Sequence, residues 1–228
     1  MTYTSDSFKF KGFQGTTLLD FPGRIASILF TGGCNLNCPY CHNRLLIDGS
    51  DDIPDLDLHE ILSTLNERSC FIDGVVITGG EPTLQPWMAD FMLLMLERLP
   101  ELQIKLDTNG TNPDGLKSLL NSSNLAMVAM DIKTGLSMYP ENLGIESENL
   151  MESVNILKNW QGEKEFRITC YRPFVTEQSI REIATTLGSG TRILLQKCIG
   201  LESLSLTEAE QMAEILKSHG CDADLRGF

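Results

Sequence analysis

Six times along this chain an apolar run ends near a short polar or glycine-bearing stretch, and each time a segment of helical apolar spacing follows. That alternation restricts the fold more than any other feature. Arg24–Phe30 runs into a cysteine loop and then into Asp55–Arg68, where Leu58, Ile61, Leu62 and Leu65 recur at helical spacing and Asp57 with Glu60 reads as a capping pair. Gly74–Thr78 ends in Gly79-Gly80-Glu81-Pro82 before an apolar helix over Trp87–Leu99. Leu102–Leu106 alternates like a strand and ends in Asp107-Thr108-Asn109-Gly110, before a short helix over Pro113–Leu120. Leu125–Met130 ends in Asp131-Ile132-Lys133 before a helix carrying Leu150, Val154 and Leu157 on one face. Glu165–Tyr171 precedes a helix over Ile180–Leu187, and Thr191–Leu195 precedes one through Met212, Ile215 and Leu216, with Thr207 and Glu210 as the expected cap. Ahead of these, residues 8–30 read as two short β segments around a turn, punctuated by Gly12, Gly15 and Pro22-Gly23. Such alternation predicts an α/β fold with a parallel sheet and helices outside it; periodicity leaves open whether the sheet is flat or curled.

The 228 residues suffice for one sizeable core, and no linker separates two halves, so a single domain over residues 1–228 is expected. A formal net charge of -13 argues against a nucleic-acid partner, because tracking phosphates requires clustered Lys and Arg. Seven cysteines, three of them crowded in one loop, are unlike a secreted disulfide framework and suit a reducing compartment. Met1–Asp6 has neither the basic start nor the apolar core of a signal peptide, and no run reaches the ~18 apolar residues that span a bilayer. A cytoplasmic protein without membrane partners is the expectation.

The loop Thr31-Gly32-Gly33-Cys34-Asn35-Leu36-Asn37-Cys38-Pro39-Tyr40-Cys41-His42-Asn43 sets three cysteines at C-x3-C-x2-C spacing. A cubane 4Fe-4S cluster normally takes four cysteines, so three from one loop leave one iron open to a small molecule. Structural zinc is the bland alternative. It needs four tetrahedral ligands, and the fourth candidate, His42, adjoins Cys41, a poor arrangement for one tetrahedral centre. Cys70, Cys170, Cys198 and Cys221 are scattered and read as small core residues, and His59 and His219 read as structural or exposed.

In Cys34, Cys38, Tyr40 and Cys41 the loop resembles the C-x3-C-x-aromatic-C signature of the radical S-adenosylmethionine (SAM) superfamily. The continuation through His42-Asn43, with the lead-ins Gly12-Phe13-Gln14-Gly15 and Leu19-Asp20-Phe21-Pro22-Gly23, is most similar to the activating enzymes of glycyl radical enzymes, those of anaerobic ribonucleoside-triphosphate reductase above all. The resemblance implies a partial (β/α)6 TIM-like barrel of the radical SAM type, open on one side, preceded by a short β hairpin. Cys34, Gly79-Gly80-Glu81, Asp107-Thr108 and Asp131 all fall just past successive strand ends, the rim where such barrels assemble their sites.

The resemblance further implies one 4Fe-4S cluster held by Cys34, Cys38 and Cys41, its open iron chelated by the amino and carboxylate groups of SAM. One electron then cleaves SAM, and the resulting 5′-deoxyadenosyl radical takes a hydrogen atom from the substrate. Gly79, Gly80 and Glu81 match the motif that receives the methionine ammonium; two glycines permit close backbone approach and a carboxylate suits a cation. Asp107 and Thr108 match a stretch near the SAM methionine and ribose, Asp131 and Lys133 match a D-x-K pattern, and Arg167 aligns with a strand arginine facing SAM. In some relatives a monovalent cation joins the site; Ala129 and Met130 depart from those relatives. Bland readings stand beside these: a turn for Gly79-Gly80-Glu81-Pro82 and for Asn109-Gly110, a rim ion pair for Asp131 and Lys133, a solvent-facing strand residue for Arg167. No acid/base pair is required, so no catalytic side chain is named. The implied partners are a glycyl radical enzyme, anaerobic ribonucleotide reductase, as protein substrate, and flavodoxin or ferredoxin as electron donor. Competing readings are an activator of pyruvate formate-lyase type, a small-molecule enzyme such as a 7-deazapurine synthase, and a non-catalytic metal-binding adaptor. Iron and sulfide near four each would favour an enzyme and one zinc the adaptor.

Overall fold

The computed structural model describes residues 8–48 and 50–228, so the expectation for Met1–Asp6 lies outside the described residues. The strands are β1 (Phe10–Thr17), β2 (Ala26–Thr31), β3 (Gly74–Gly79), β4 (Gln103–Thr108), β5 (Leu125–Asp131), β6 (Glu163–Cys170), β7 (Arg192–Lys197) and β8 (Asp222–Arg226). The helices are α1 (Arg44–Asp48), α2 (Leu58–Arg68), α3 (Met88–Arg98), α4 (Pro113–Leu119), α5 (Tyr139–Leu143), α6 (Glu148–Asn159), α7 (Glu177–Leu187) and α8 (Leu206–Ser218). The fold is α/β, and strand order in the sheet follows the sequence, β1 to β8. No pairing of β8 with β1 closes the sheet among the described residues. The chain divides into two compact units: the chain up to Asn35 with His42–Thr108 and Asp114–Val128, and Leu36–Cys41 with Asn109–Pro113 and Ala129–Phe228.

In the first unit β1 runs antiparallel to β2, and β2, β3 and β4 are mutually parallel. The apolar residues of β2 and β3 leave neither face to water. Ile28 and Val76 join Phe21, Ala26 and Met127 in one core cluster, while Leu29, Val75 and Ile77 are fully buried. An aromatic group anchors the start of β1 to α3: Phe10 meets Phe91 and Trp87 edge-on at centroid distances of 4.6 and 4.9 Å. Pairs of this kind contribute about 0.5–1.5 kcal/mol beyond the area they bury. Asp57 caps α2 as expected, its Oδ1 accepting the Glu60 N–H at 3.0 Å.

In the second unit β6, β7 and β8 are parallel neighbours. The cap of α8 lies two residues earlier than the sequence suggested. Ser205, in an extended conformation, and Glu208 exchange side-chain and backbone hydrogen bonds in a capping box, which leaves Thr207 inside the first turn. Two Ser/Thr-x-x-Glu pairs overlap here, and Ser205 is the one whose backbone is extended. Strand β8 was not anticipated: Asp222-Ala223-Asp224-Leu225-Arg226 offers only two apolar residues to a strand pattern, and its pairing along β7 supplies what its side chains lack. Among the described residues no helix is long and apolar enough to cross a membrane.

Candidate functional site

Within the first unit, the end of β3 is stitched to the loop that follows β2. Gly80 N–H donates to Thr31 O and Glu81 N–H to Gly33 O, both at 2.8 Å. Asn43 Nδ2 donates to Gly79 O at 3.1 Å, and Gln85 Nε2 to Gly32 O at 2.8 Å. A Cβ on Gly80 would stand 1.8 Å from Gly33 O, and Gly79 combines a φ of +109° with a Cβ position 2.6 Å from Thr31 N and O. The glycines therefore answer first to backbone packing against the cysteine-bearing loop, a demand that the ligand-approach reading had not included.

Glu81 is 1% exposed, and its Oε1 accepts from Thr83 N–H at 3.1 Å, Thr83 Oγ1 at 2.6 Å and Thr108 Oγ1 at 2.7 Å. One carboxylate thus joins the ends of β3 and β4. Asp107, the second-last residue of β4, accepts a hydrogen bond from Lys105, whose side chain is 1% exposed. Lys105, Asn43 and Gln85 were not foreseen. Asn43 adjoined the cysteine motif and was visible in principle; Lys105 sits in an alternating run where a polar residue reads as solvent-facing.

Within the second unit, Cys41 N–H donates to Cys38 O at 3.1 Å, closing a tight turn that carries both thiols. Between them Tyr40 is 6% exposed, its ring 5.1 Å from Tyr171 and 5.7 Å from Phe174. Its hydroxyl is buried with no hydrogen-bond partner among the described residues, and burial pushes the phenol well above its usual pKa, a rise that Lys133 opposes. Asp131 ends β5 as the centre of an ion network: Oδ1 meets Arg167 Nε at 2.7 Å and Oδ2 meets Lys133 Nζ at 2.8 Å. Burial alone would raise the Asp131 pKa, but Arg167 and then Lys133 hold the carboxyl well below the carboxylate range. Burial likewise opposes the Lys133 charge, and Asp131 overrides it, holding the ammonium well above its usual pKa. Lys133 N–H donates to Tyr139 Oη at 2.9 Å and Ile132 N–H to Arg167 O at 2.8 Å, so the backbone there is fixed as well. Arg167 lies inside β6 rather than at its start and is 8% exposed, which removes the solvent-facing reading. Asn109-Gly110 forms the expected turn, with Gly110 at φ +74° and Asn109 Oδ1 accepting from Thr111 N–H at 2.9 Å.

No disulfide joins any of the seven cysteines. Cys170, Cys198 and Cys221 are buried as expected, and burial with a smaller push from Cys198 drives the Cys170 thiol up to about 12, so it is inert. Cys70 differs: it is exposed just after α2, where the chain turns into Phe71 at the surface. Among the described residues no group of three His, Cys, Asp or Glu side chains is gathered as a metal site. The donor chemistry of Cys34, Cys38 and Cys41 suits an iron–sulfur cluster: three uncrosslinked soft thiols, Cys34 and Cys41 partly open to solvent. The partnerless Tyr40 hydroxyl and the paired cations around Asp131 suit a polar, charged ligand beside an aromatic wall.

A model of the Radical SAM superfamily matches residues 28–187. A Methanocaldococcus jannaschii protein, named by inference a glycyl-radical enzyme activating enzyme, is 29% identical over 77% of this chain and 74% of its own. A 7-carboxy-7-deazaguanine synthase of Clostridium acetobutylicum is 31% identical over 58% of this chain and 54% of its own. A pyruvate formate-lyase-activating enzyme of Clostridium pasteurianum is 32% identical over 51% of this chain and 48% of its own, so the matched stretch spans about half of these two relatives. Among solved structures, a domain of pyruvate-formate lyase-activating enzyme from Bacteroides vulgatus superposes with a TM-score of 0.58 at 19% identity, over 68% of this chain and 99% of that one. Streptococcus suis SuiB bound to S-adenosylmethionine does so with 0.62 at 13% identity, over 88% of this chain and 52% of that one. At these identities the structural likeness speaks for the fold, the parallel-strand partial barrel, and for nothing finer.

Proposed function

We propose, from the premise that this chain belongs to the radical SAM superfamily and is an enzyme of it, that it is a glycyl radical activase whose protein substrate is an anaerobic ribonucleoside-triphosphate reductase. The observation that carries the activase reading is the relative named for glycyl radical activation, which this chain matches across about three quarters of both lengths. The narrower choice of reductase rests on the similarity of the cysteine loop and its lead-in motifs.

The family implies a 4Fe-4S cluster and SAM, which together supply one-electron cleavage of SAM and, from it, a strong abstraction of hydrogen. In this reading Cys34, Cys38 and Cys41 hold the iron, and the backbone of Gly79 and Gly80 with the Glu81 carboxylate receives the methionine ammonium. Asp107 and Thr108 lie along the same ligand. Asp131 orients Arg167 and Lys133, whose charges suit a carboxylate, and Tyr40 with Tyr171 and Phe174 walls off water. The Asp107–Lys105 pair already places a cation on Asp107, so a monovalent ion there would have to compete with Lys105.

Glu81→Gln is expected to keep its iron and lose about 1.5 to 3 kcal/mol of SAM binding, roughly ten- to hundredfold, as a charge-assisted hydrogen bond becomes a neutral one. Calorimetric titration of the anaerobic protein reads it directly. Unchanged affinity would discard the ammonium role and leave Glu81 as the tie between β3 and β4.

The activase reading is tested with a partner present. Under a reductant the enzyme alone is expected to cleave SAM slowly, and an anaerobic ribonucleotide reductase from the same source to speed cleavage and acquire a glycyl radical doublet in electron paramagnetic resonance. A doublet on a pyruvate formate-lyase type protein instead would move the substrate assignment. The deazaguanine synthase relatives motivate the second reading, and turnover of a small purine-like substrate without a protein radical would select it.

A further inference from the structure

The second unit holds a cavity of about 430 Å³ where α6 ends, β6 begins and the turn between α7 and β7 passes. Lys158, Lys164 and Arg192 line it together with Ser189, Gly190 and Thr191, and no Asp or Glu does. The chain carries 31 acids against 18 Lys and Arg, so a lining with three cations and no acid departs from the balance of the chain, although Arg192 also meets Asp224, off the lining, at 4.0 Å. We propose that this cavity is a binding site for a pyrophosphate-bearing anion of the nucleoside di- or triphosphate class.

The three cations come from three elements. Lys158 sits in the last turn of α6, Lys164 is the second residue of β6 and Arg192 the first of β7. At about 430 Å³ the hollow has room for more than one phosphate group, and the cations reach it from a helix end and two strand starts. Two linked phosphates suit that spread. The bland account is that Lys158 and Lys164 serve the C-terminus of α6, and Lys164 Nζ does donate to Trp160 O. That account leaves out Arg192, which is not on the helix and whose nearest ion partner, Asp224, stands at 4.0 Å.

The turn supplies the rest of the cradle. Gly188 and Gly190 hold φ of +75° and +76°, which bends the chain around Ser189 and puts Ser189 and Thr191 on the lining, where the Thr191 hydroxyl donates to Leu187 O at 3.0 Å. Gly190 N–H is bonded to Gly220 O at 2.8 Å and Asp222 N–H to Thr191 O at 2.9 Å, so the turn is anchored to the segment that leads into β8. The volume lies within the range of small-molecule pockets. Lys164 and Phe166, both on the lining, share one face of β6 and Arg167 the other, and Arg167 lies about 10 Å along the strand from Lys164 at ~3.3 Å per residue. A ligand here would not occupy the SAM site, and the inference does not depend on the activase reading.

The test is calorimetric titration of the anaerobic, cluster-loaded protein with pyrophosphate, ATP, inorganic phosphate and sulfate. Pyrophosphate and ATP are expected to bind at least tenfold more tightly than phosphate or sulfate. A Lys158→Ala/Arg192→Ala variant is expected to lose that binding tenfold or more while its SAM affinity stays unchanged. A variant at Lys217, a surface lysine on α8 outside the cavity, is expected to bind as the parent does. Trp160, whose ring packs on the lining residue Gly162, adds a local fluorescence signal. Equal responses to all four anions, no response to any, or undiminished pyrophosphate binding in the double variant would each overturn the proposal.

Discussion

Replacing Cys34, Cys38 or Cys41 with Ala is expected to abolish the catalytic cluster and with it SAM cleavage, a fall toward the uncatalysed rate and hence about a millionfold or more. Cys70→Ala and Cys221→Ala are expected to keep both. The contrast follows from position and chemistry. Cys70 is exposed and far in sequence from the loop, and Cys221 is buried with its Sγ against Gly188 O at 3.5 Å. Anaerobic iron and sulfide counts with visible absorption decide the matter, because a stability change from removing the 7%-exposed Cys38 side chain would appear in unfolding curves and leave the counts alone. A full cluster in Cys38→Ala would sink the ligand assignment. One equivalent of zinc in the parent, with little iron, would replace the enzyme by a structural metal protein.

The legible part of this chain is what periodicity and spacing encode locally. β3 was readable because Gly-Val-Val-Ile-Thr is short, β-branched and bounded by glycines, and α2 because Asp57 stands as a cap ahead of Leu58, Ile61 and Leu65. Local patterns fail where long-range pairing decides. β8 exists through its register with β7, and its own letters, two acids and an arginine around Ala223 and Leu225, name a solvated strand or none. The site shows the same division. Motif positions Asp131, Lys133 and Arg167 were visible as letters, but the sequence carries no sign that Arg167 Nε and Lys133 Nζ take opposite oxygens of one carboxylate. Nor could it show that Gly80 is glycine because Gly33 O would lie 1.8 Å from any Cβ. A resemblance transfers positions; the physical demand on each position comes from its neighbours in space.

The Asp131 network yields the largest expected effect on stability. Asp131→Asn removes the carboxylate charge that the Arg167 and Lys133 side chains, 10% and 12% exposed, both meet. Breaking a buried pair by removing one partner costs about 3 to 5 kcal/mol, and with the Asp131 side chain a quarter exposed the lower figure, about 3 kcal/mol, is expected. The pH dependence identifies the cause. Because the folded pKa of Asp131 is depressed, its contribution is complete above the unfolded carboxylate value near ~3.9 and is lost as pH falls below that toward the folded pKa. The difference in unfolding free energy between parent and variant should therefore be constant from neutrality down to about pH 5 and shrink only in stronger acid. Denaturant unfolding of the cluster-free protein at a series of pH values measures it. A difference that shrank near pH 6, or none at neutrality, would mean that Arg167 and Lys133 are held by something other than the Asp131 charge. If the difference behaves as expected but SAM affinity is unchanged in Asp131→Asn, the network is a structural brace at the end of β5, and the carboxylate-orienting role proposed for it falls.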